Sequence, residues 1–125
     1  MALSSNVMLD KVKTLFQTDL NNILKKELHN ENRVNLYSVG EYWAAFEKSA
    51  YLLGQMLHDD TPPIVLYINE YPFPIVMQSL HYRTVDDMCR KHIMSRKSLE
   101  DLQFATHPTD EVAYKEWYRE NVLDD

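Results

Sequence analysis

Hydrophobic residues recur at intervals of three and four from about Asn6 to Leu28, which is the spacing of one face of an amphipathic helix. Polar residues at 29–32 end this pattern, and the alternating β-branched and aromatic residues of 34–39 then predict a strand. Gly40 ends that strand, and a second run with helical spacing follows over 41–57. The first half of the chain therefore predicts a helix, a strand and a second helix.

The middle of the chain is rich in proline. Two prolines mark residues 58–63 as a loop, and the continuous apolar run at 64–68 predicts a strand buried on both faces. A turn at 69–73 leads into residues 74–80, which fit two structures. Their β-branched residues favour a strand, whereas the nearby prolines favour the start of a short helix, and we favour the helix.

The last third of the chain predicts helices. Thr84 opens a sequence similar to a capping box, so a helix is expected to reach about His92, and Ser98 is available to cap a further turn over 99–104. Thr109 follows a proline and starts a final helix. The hydrophobic stripe of that helix is Ala113, Tyr114, Trp117, Tyr118 and Val122.

These elements predict a single α+β domain over residues 1–125, with a small mixed sheet flanked by four to five helices. A chain of 125 residues with 45% hydrophobic residues is long and apolar enough to bury a core. Its two glycines exclude the Gly-rich loops that hold nucleotide phosphates, and its one cysteine excludes an internal disulfide. We find no apolar run long enough to cross a membrane and expect a cytoplasmic protein.

The formal net charge of −6 is unevenly distributed. Residues 100–125 hold eight acidic and two basic side chains and so carry the whole of it, whereas residues 81–99 form a basic stretch with a local excess of three positive charges. The bases of this stretch are Arg83, Arg90, Lys91, Arg96 and Lys97. They are either solvated helix faces or a surface able to contact phosphate. The overall acidity argues against strong non-specific binding of nucleic acid.

Residues that could carry catalysis or bind metal form no complete set. Cys89 and His92 have the spacing of half a zinc site, but a structural site needs four ligands. The adjacent acidic pairs Asp59–Asp60 and Asp86–Asp87 fit loop polarity and helix N-terminal charge better than acid–base chemistry. We therefore expect a non-catalytic protein with no metal and no cofactor.

Residues 34–50 resemble the start of the N-terminal mismatch-recognition domain of the MutS family. In that family a strand leads into Gly-Asp-Phe-Tyr-Glu-Leu-Phe, followed by an acidic pair and Ala. The matching positions are Gly40, Phe46 and Ala50, with conservative replacements at Glu41, Tyr42 and Trp43. The resemblance covers about residues 8–80 and implies a MutS N-terminal-like fold; residues 81–125, the basic stretch and an acidic helical C-terminal segment, fall outside it.

The resemblance also implies a role for one aromatic residue. In the family, the first aromatic wedges beside a mispaired base, and the Glu two residues later hydrogen-bonds that base. The aromatic corresponds to Tyr42, but the Glu position is Ala44, whose side chain neither donates nor accepts.

Two functions remain open. The first is non-catalytic binding of nucleic acid, or of a complex that contains it: Tyr42 or Trp43, exposed at a helix entry, would stack on bases while the basic stretch contacts phosphates. The alternative is a protein-interaction or homodimerisation module that uses the face of the last helix carrying Trp117 and Tyr118.

Overall fold

The computed structural model describes residues 2–57, 62–68, 71–91, 94–96 and 101–123. Within them, four helices accompany one six-stranded sheet. The elements in chain order are α1 (Ala2–Leu28), β1 (Arg33–Val39), β2 (Tyr42–Phe46), α2 (Lys48–Leu57), β3 (Ile64–Leu66), β4 (Ile75–His81), α3 (Tyr82–Lys91), β5 (Met94–Arg96), β6 (Asp101–Ala105) and α4 (Glu111–Leu123). The α+β class is thus confirmed.

The sheet has the strand order β3-β4-β2-β1-β6-β5, and every neighbouring pair is antiparallel. The prediction of a mixed sheet is therefore wrong. The connections through α2 and α3 join strands that run in the same direction, β2 to β3 and β4 to β5, but other strands lie between the members of each pair. No two parallel strands are therefore neighbours. The strand expected at 34–39 lies near the centre of the sheet as β1.

The spacing of residues 41–47 predicts the start of a helix, but this prediction is wrong, because Tyr42–Phe46 form strand β2. Val39 pairs with Tyr42, so only Gly40 and Glu41 connect β1 to β2. Gly40 has a φ of 79°, which a tight hairpin of this kind requires at its first turn position. Because side chains four residues apart share a face in a strand as well as in a helix, Tyr42 and Phe46 satisfied both patterns.

Three other sequence predictions are wrong. Residues 75–81 form strand β4 instead of a short helix, because Ile75 and Val76 pack well in a sheet while the prolines lie just before the strand. Residues 101–105 form strand β6 instead of a helical turn. The apolar run at 64–68 gives only the short edge strand β3, in which Ile64 is 40% exposed instead of buried on both faces.

The remaining differences are smaller. Helix α3 begins at Tyr82, two residues before the expected start, and its expected end at His92 lies outside the described residues. Most of the loop predicted at 58–63 also lies outside them. The final helix α4 begins at Glu111, where Asp110 Oδ1 accepts hydrogen bonds from the backbone amides of Val112 and Ala113. Asp110, not Thr109, is thus the capping residue.

The helices form a layer on each face of the sheet. Helix α1 covers one face and buries a cluster that we call the α1-side core: Met8, Val12, Phe16, Ile23, Tyr37, Val39, Ala44, Phe46, Ile75 and Met77. Helices α2, α3 and α4 cover the other face over the α2-side core, whose largest fully buried members are Phe104, Leu36, Leu53, Val34 and Val85. Alternate residues of each strand therefore enter different cores.

A buried polar network joins α1 to the start of α2. Glu27 Oε1 accepts a hydrogen bond from the Ser49 amide at 2.8 Å, and Glu27 Oε2 accepts one from Ser49 Oγ at 2.6 Å. Asn30 and Asn35 each donate a further bond to this carboxylate, at 3.1 Å. Burial raises the pKa of Glu27, and these hydrogen bonds oppose that increase. The network holds the end of α1 against β1 and satisfies an otherwise orphaned amide at the first turn of α2.

Candidate nucleic-acid interface

Tyr42 and Trp43 lie on opposite faces of strand β2, as neighbouring residues of a strand must. Tyr42 is half-buried against the α1-side core, and Trp43 is half-buried against the α2-side core. The two aromatics therefore do not form one surface. Trp43 takes part in packing between the sheet and its helices, which leaves Tyr42 as the residue near an exposed aromatic surface.

Tyr42 begins a continuous row of rings at the end of β4. Its ring meets the His81 ring edge-on, with centroids 5.6 Å apart, and His81 in turn lies 4.4 Å from the Tyr82 ring. The Arg83 guanidinium lies 5.8 Å from the centroid of Tyr82. We call these four residues the tyrosine–arginine patch. The outermost ring of the patch is Tyr82, which is 40% exposed.

Hydrogen bonds fix this patch to the sheet. The Tyr82 amide donates to the carbonyl of Glu41 at 3.0 Å, which ties α3 to the β1–β2 turn. The Arg83 amide donates to His81 Nδ1 at 3.3 Å, and Arg83 Nε donates to the Tyr82 hydroxyl at 3.4 Å. The bond to Tyr82, with a smaller contribution from the charge of Glu41, raises the pKa of Arg83. The guanidinium is thus a permanent cation held beside an exposed ring.

The basic stretch is dispersed. Arg83 lies in the patch, whereas Arg90 and Lys91 are exposed at the opposite end of α3, about 10 Å further along the helix axis. Arg90 also forms a 3.5 Å ion pair with Asp87. Arg96 lies on edge strand β5, three strands away from β2, and Lys97 lies outside the described residues. Of the four predicted bases that lie among the described residues, the structure brings only Arg83 to Tyr42.

Trp117 and Tyr118 lie on the side of α4 that faces the molecule. The Trp117 ring packs against the Tyr51 ring of α2, with centroids 5.4 Å apart, and the Tyr118 hydroxyl donates to the carbonyl of Pro74. Both side chains are half-buried. Much of this face is therefore used within the chain instead of being presented to a partner.

A second cluster of titratable side chains surrounds Glu47, between β2 and α2. Glu47 has a φ of 54°, a left-handed conformation that is uncommon outside glycine, and its Oε2 accepts a 2.9 Å bond from the Tyr114 hydroxyl. Burial raises its pKa to about 7, against the opposing effect of that bond. A cavity of about 420 Å³ lies beside it, bordered by Tyr114, Tyr118, Lys115 and Arg119 of α4.

Cys89 is half-buried and packs against the α2-side core, while its suggested metal partner His92 lies outside the described residues. No cluster of three or more His, Cys, Asp or Glu side chains suited to a metal ion is found in the described part of the chain. No helix among the described residues is long and apolar enough to cross a membrane.

Sequence reasoning missed His81 and Tyr82, the two rings that connect Tyr42 to Arg83. The signal was present, since His81, Tyr82 and Arg83 are consecutive. The prediction of a helix over 74–80 conceals this signal, because the three residues lie where strand β4 ends and helix α3 begins.

Comparison of the chain with models of protein families, with curated proteins and with solved structures finds no match. The resemblance to the MutS family therefore stays a prediction from the sequence, and the function has to be argued from the site.

Proposed function

We propose that this chain is a non-catalytic module that binds nucleic acid by stacking an unpaired base on the tyrosine–arginine patch. The observation that supports this most directly is the row of rings from Tyr42 to Tyr82, with a guanidinium over its exposed end. An aromatic face beside an arginine is a common way to hold a base and its phosphate together.

In this proposal the two tyrosines have different tasks. Tyr82 is the ring that a base would contact, because it is the most exposed of the row. Tyr42 and His81 support it from beneath, since each is half-buried and in ring contact with its neighbour. Arg83 would contact the adjacent phosphate. One stacked base is worth about 1–3 kcal/mol, so weak binding is expected from a patch of this size.

The proposal also predicts which nucleic acid is preferred. Stacking requires an accessible base face, so single strands should bind more tightly than matched duplex. Ala44, at the position of the Glu that contacts the base in MutS proteins, is fully buried in the α1-side core. Nothing at that position can hydrogen-bond a mispaired base, so a mispaired duplex should bind no more tightly than a matched one.

Fluorescence anisotropy with labelled single-stranded, matched and mispaired DNA at ~50 mM salt tests the proposal. Tyr82→Ala should weaken single-strand binding about tenfold. Arg83→Ala should reduce the slope of log K against log salt by about 0.7. The matched controls are Tyr67→Ala, an exposed tyrosine beyond edge strand β3, and Arg119→Ala, an exposed arginine on α4.

Absence of binding at high micromolar protein would end the proposal, and so would a Tyr82→Ala variant that binds like the wild type. Binding that is equally reduced by the control substitutions would show general charge attraction instead of a defined patch.

The protein-interaction alternative has less support. Trp117 and Tyr118, the rings expected to form its surface, contact Tyr51 and Pro74 within the same chain. A partner would have to use what remains exposed on α4, so Trp117→Ala should reduce stability before it reduces any association.

A further inference from the structure

A groove runs between the C-terminal half of α1 and the strands β1 and β6. Its wider part is a cavity of about 530 Å³, and a smaller one of about 240 Å³ continues it towards the start of β1. Lys26 and His29 of α1 border both parts. The floor consists of two paired positions of β1 and β6, Tyr37 with Asp101 and Asn35 with Gln103, together with Arg33 of β1. We call this feature the α1 groove.

Tyr37, one of the residues that line the wider part, carries a buried hydroxyl. Tyr37 is only 5% exposed, yet among the described residues its hydroxyl has no hydrogen-bond partner. Burial, together with the charges of Glu27, Asp101 and Asp19, raises the pKa of Tyr37, so the hydroxyl keeps its proton and remains a donor. A buried donor without an acceptor destabilises the fold, and a ligand that reached this hydroxyl and accepted its hydrogen bond would remove that cost.

Charges of both signs line the same cavity. Lys26 Nζ lies 5.7 Å from the centroid of the Tyr37 ring, and Lys25 is also on the wall. Asp101 is paired directly with Tyr37 across the floor, and Asp19 is on the α1 wall. A carboxylate could therefore accept from Tyr37 and Lys26 while an ammonium group beside it meets Asp101 and Asp19.

The narrower part has a different charge. Lys26, His29 and Arg33 border it, with Glu31 as its acidic side chain. Asn35 and Gln103 on its floor bond to each other at 2.7 Å, so the floor there is rigid and polar. An extension that enters this part from the wider cavity would meet the Arg33 side chain and an amide floor.

We propose that the α1 groove binds a free α-amino acid with an acidic side chain. The adjacent carboxylate and ammonium groups that every α-amino acid carries match Tyr37 and Lys26 on one side and Asp101 and Asp19 on the other. The acidic side chain reaches the narrower part, towards Arg33 and His29. This site is separate from the tyrosine–arginine patch, which lies beyond the opposite end of β1, and it does not depend on nucleic-acid binding.

The experiment is a titration of the full chain with L-glutamate, followed by backbone amide NMR shifts. Saturable shifts are expected at Lys26, Tyr37 and Gln103. Glutarate lacks the ammonium group and γ-aminobutyrate lacks the α-carboxylate, so each should bind at least tenfold more weakly. L-lysine, with a cationic side chain, should also bind more weakly than L-glutamate.

Two variants separate a binding role from a structural one. Tyr37→Phe removes only the orphaned hydroxyl, so it should leave the melting temperature unchanged or raise it while weakening L-glutamate binding at least tenfold. Asp101→Asn should reduce the preference for L-glutamate over glutarate. Tyr67→Phe, which alters an exposed tyrosine outside the groove, is the matched control and should change neither property.

Three results would overturn the proposal: no saturable shift in the groove, equal binding of L-glutamate and glutarate, or L-glutamate binding that Tyr37→Phe leaves intact. A marked fall in the melting temperature of Tyr37→Phe would also overturn it, because the hydroxyl would then be required by the fold.

Discussion

Glu47 should make this protein less stable as the pH rises through neutrality. Its carboxyl group is held between β2 and α2 by the Tyr114 hydroxyl, and burial raises its pKa from 4.5 to about 7. In the unfolded chain the group ionises near its ordinary value. The native state therefore binds the proton more tightly than the unfolded state does, and protonation favours folding.

The magnitude follows from the difference between the two pKa values. Each pKa unit is worth about 1.4 kcal/mol, so full ionisation of Glu47 should cost about 3 kcal/mol of folding stability. This contribution is fully present below about pH 4.5 and is lost as the pH rises through about 7. Glu47→Gln keeps an oxygen that accepts from Tyr114 but cannot ionise, so it should be more stable than the wild type at pH 8 and similar to it at pH 4.5.

Urea denaturation from pH 4.5 to 8 measures this directly. Glu27 also has a raised pKa, but it is present in both proteins, so the difference between them isolates Glu47. Glu116→Gln, which removes an exposed carboxylate from α4, controls for the change in net charge. If the free energies of unfolding of the wild type and of Glu47→Gln change with pH in the same way, the pKa of Glu47 is not raised by the fold and the reasoning fails.

Four further substitutions test the fold by the free energy of unfolding in urea. The two glycines should respond with opposite signs. Gly40→Ala should destabilise the fold by about 1 kcal/mol because the φ of Gly40 is 79°. Gly54 lies inside α2, and a Cβ added there meets no other described atom within 4 Å apart from its chain neighbours and its own helix backbone, so Gly54→Ala should stabilise the fold by up to about 1 kcal/mol. Glu27→Ala should cost about 3–5 kcal/mol because it leaves the Ser49 amide and other buried donors unpaired, and a loss below about 1 kcal/mol would contradict the network. Asp110→Ala should cost about 1 kcal/mol through loss of the α4 cap, with α4 itself retained by circular dichroism.

The elements that sequence predicted well are those whose patterns fit a single structure. Helix α1 spans 27 residues, and its hydrophobic spacing continues for too long to be confused with a strand. Strand β1 combines alternation with β-branched residues and is followed by a glycine in a turn conformation. The final helix α4 has both a helical stripe and a capping residue.

Two of the strands that sequence missed, β4 and β6, pair with strands that are distant in the chain. β4 is placed between β2 and β3, and β6 lies beside β1, across more than 60 residues of chain. Nothing local to a five-residue segment such as Asp101–Ala105 distinguishes a strand from a helical turn, because the stabilising contacts are made by Leu36 and Val34 on another strand. Pairing with strands that are distant in the chain therefore determines that these segments are strands and not helices.

The candidate sites were only partly visible from sequence for the same reason. Tyr42 and Arg83 were identified separately, but their connection through His81 depends on the pairing of Tyr42 with His81 across β2 and β4. The α1 groove could not be anticipated at all, since it requires the neighbouring positions of β1 and β6 as its floor.

The two halves of the sheet surface beneath α1 differ in a way that stability alone does not explain. On β2 and β4 this surface is apolar, with Phe46 and Met77 fully buried. On β1 and β6 it carries Asn35, Gln103, Asp101 and the Tyr37 hydroxyl, which has no hydrogen-bond partner among the described residues. Replacing that hydroxyl with hydrogen would be expected to stabilise the free protein, so its presence has a cost in the unliganded state. Binding of a ligand in the α1 groove, as proposed above, would offset that cost.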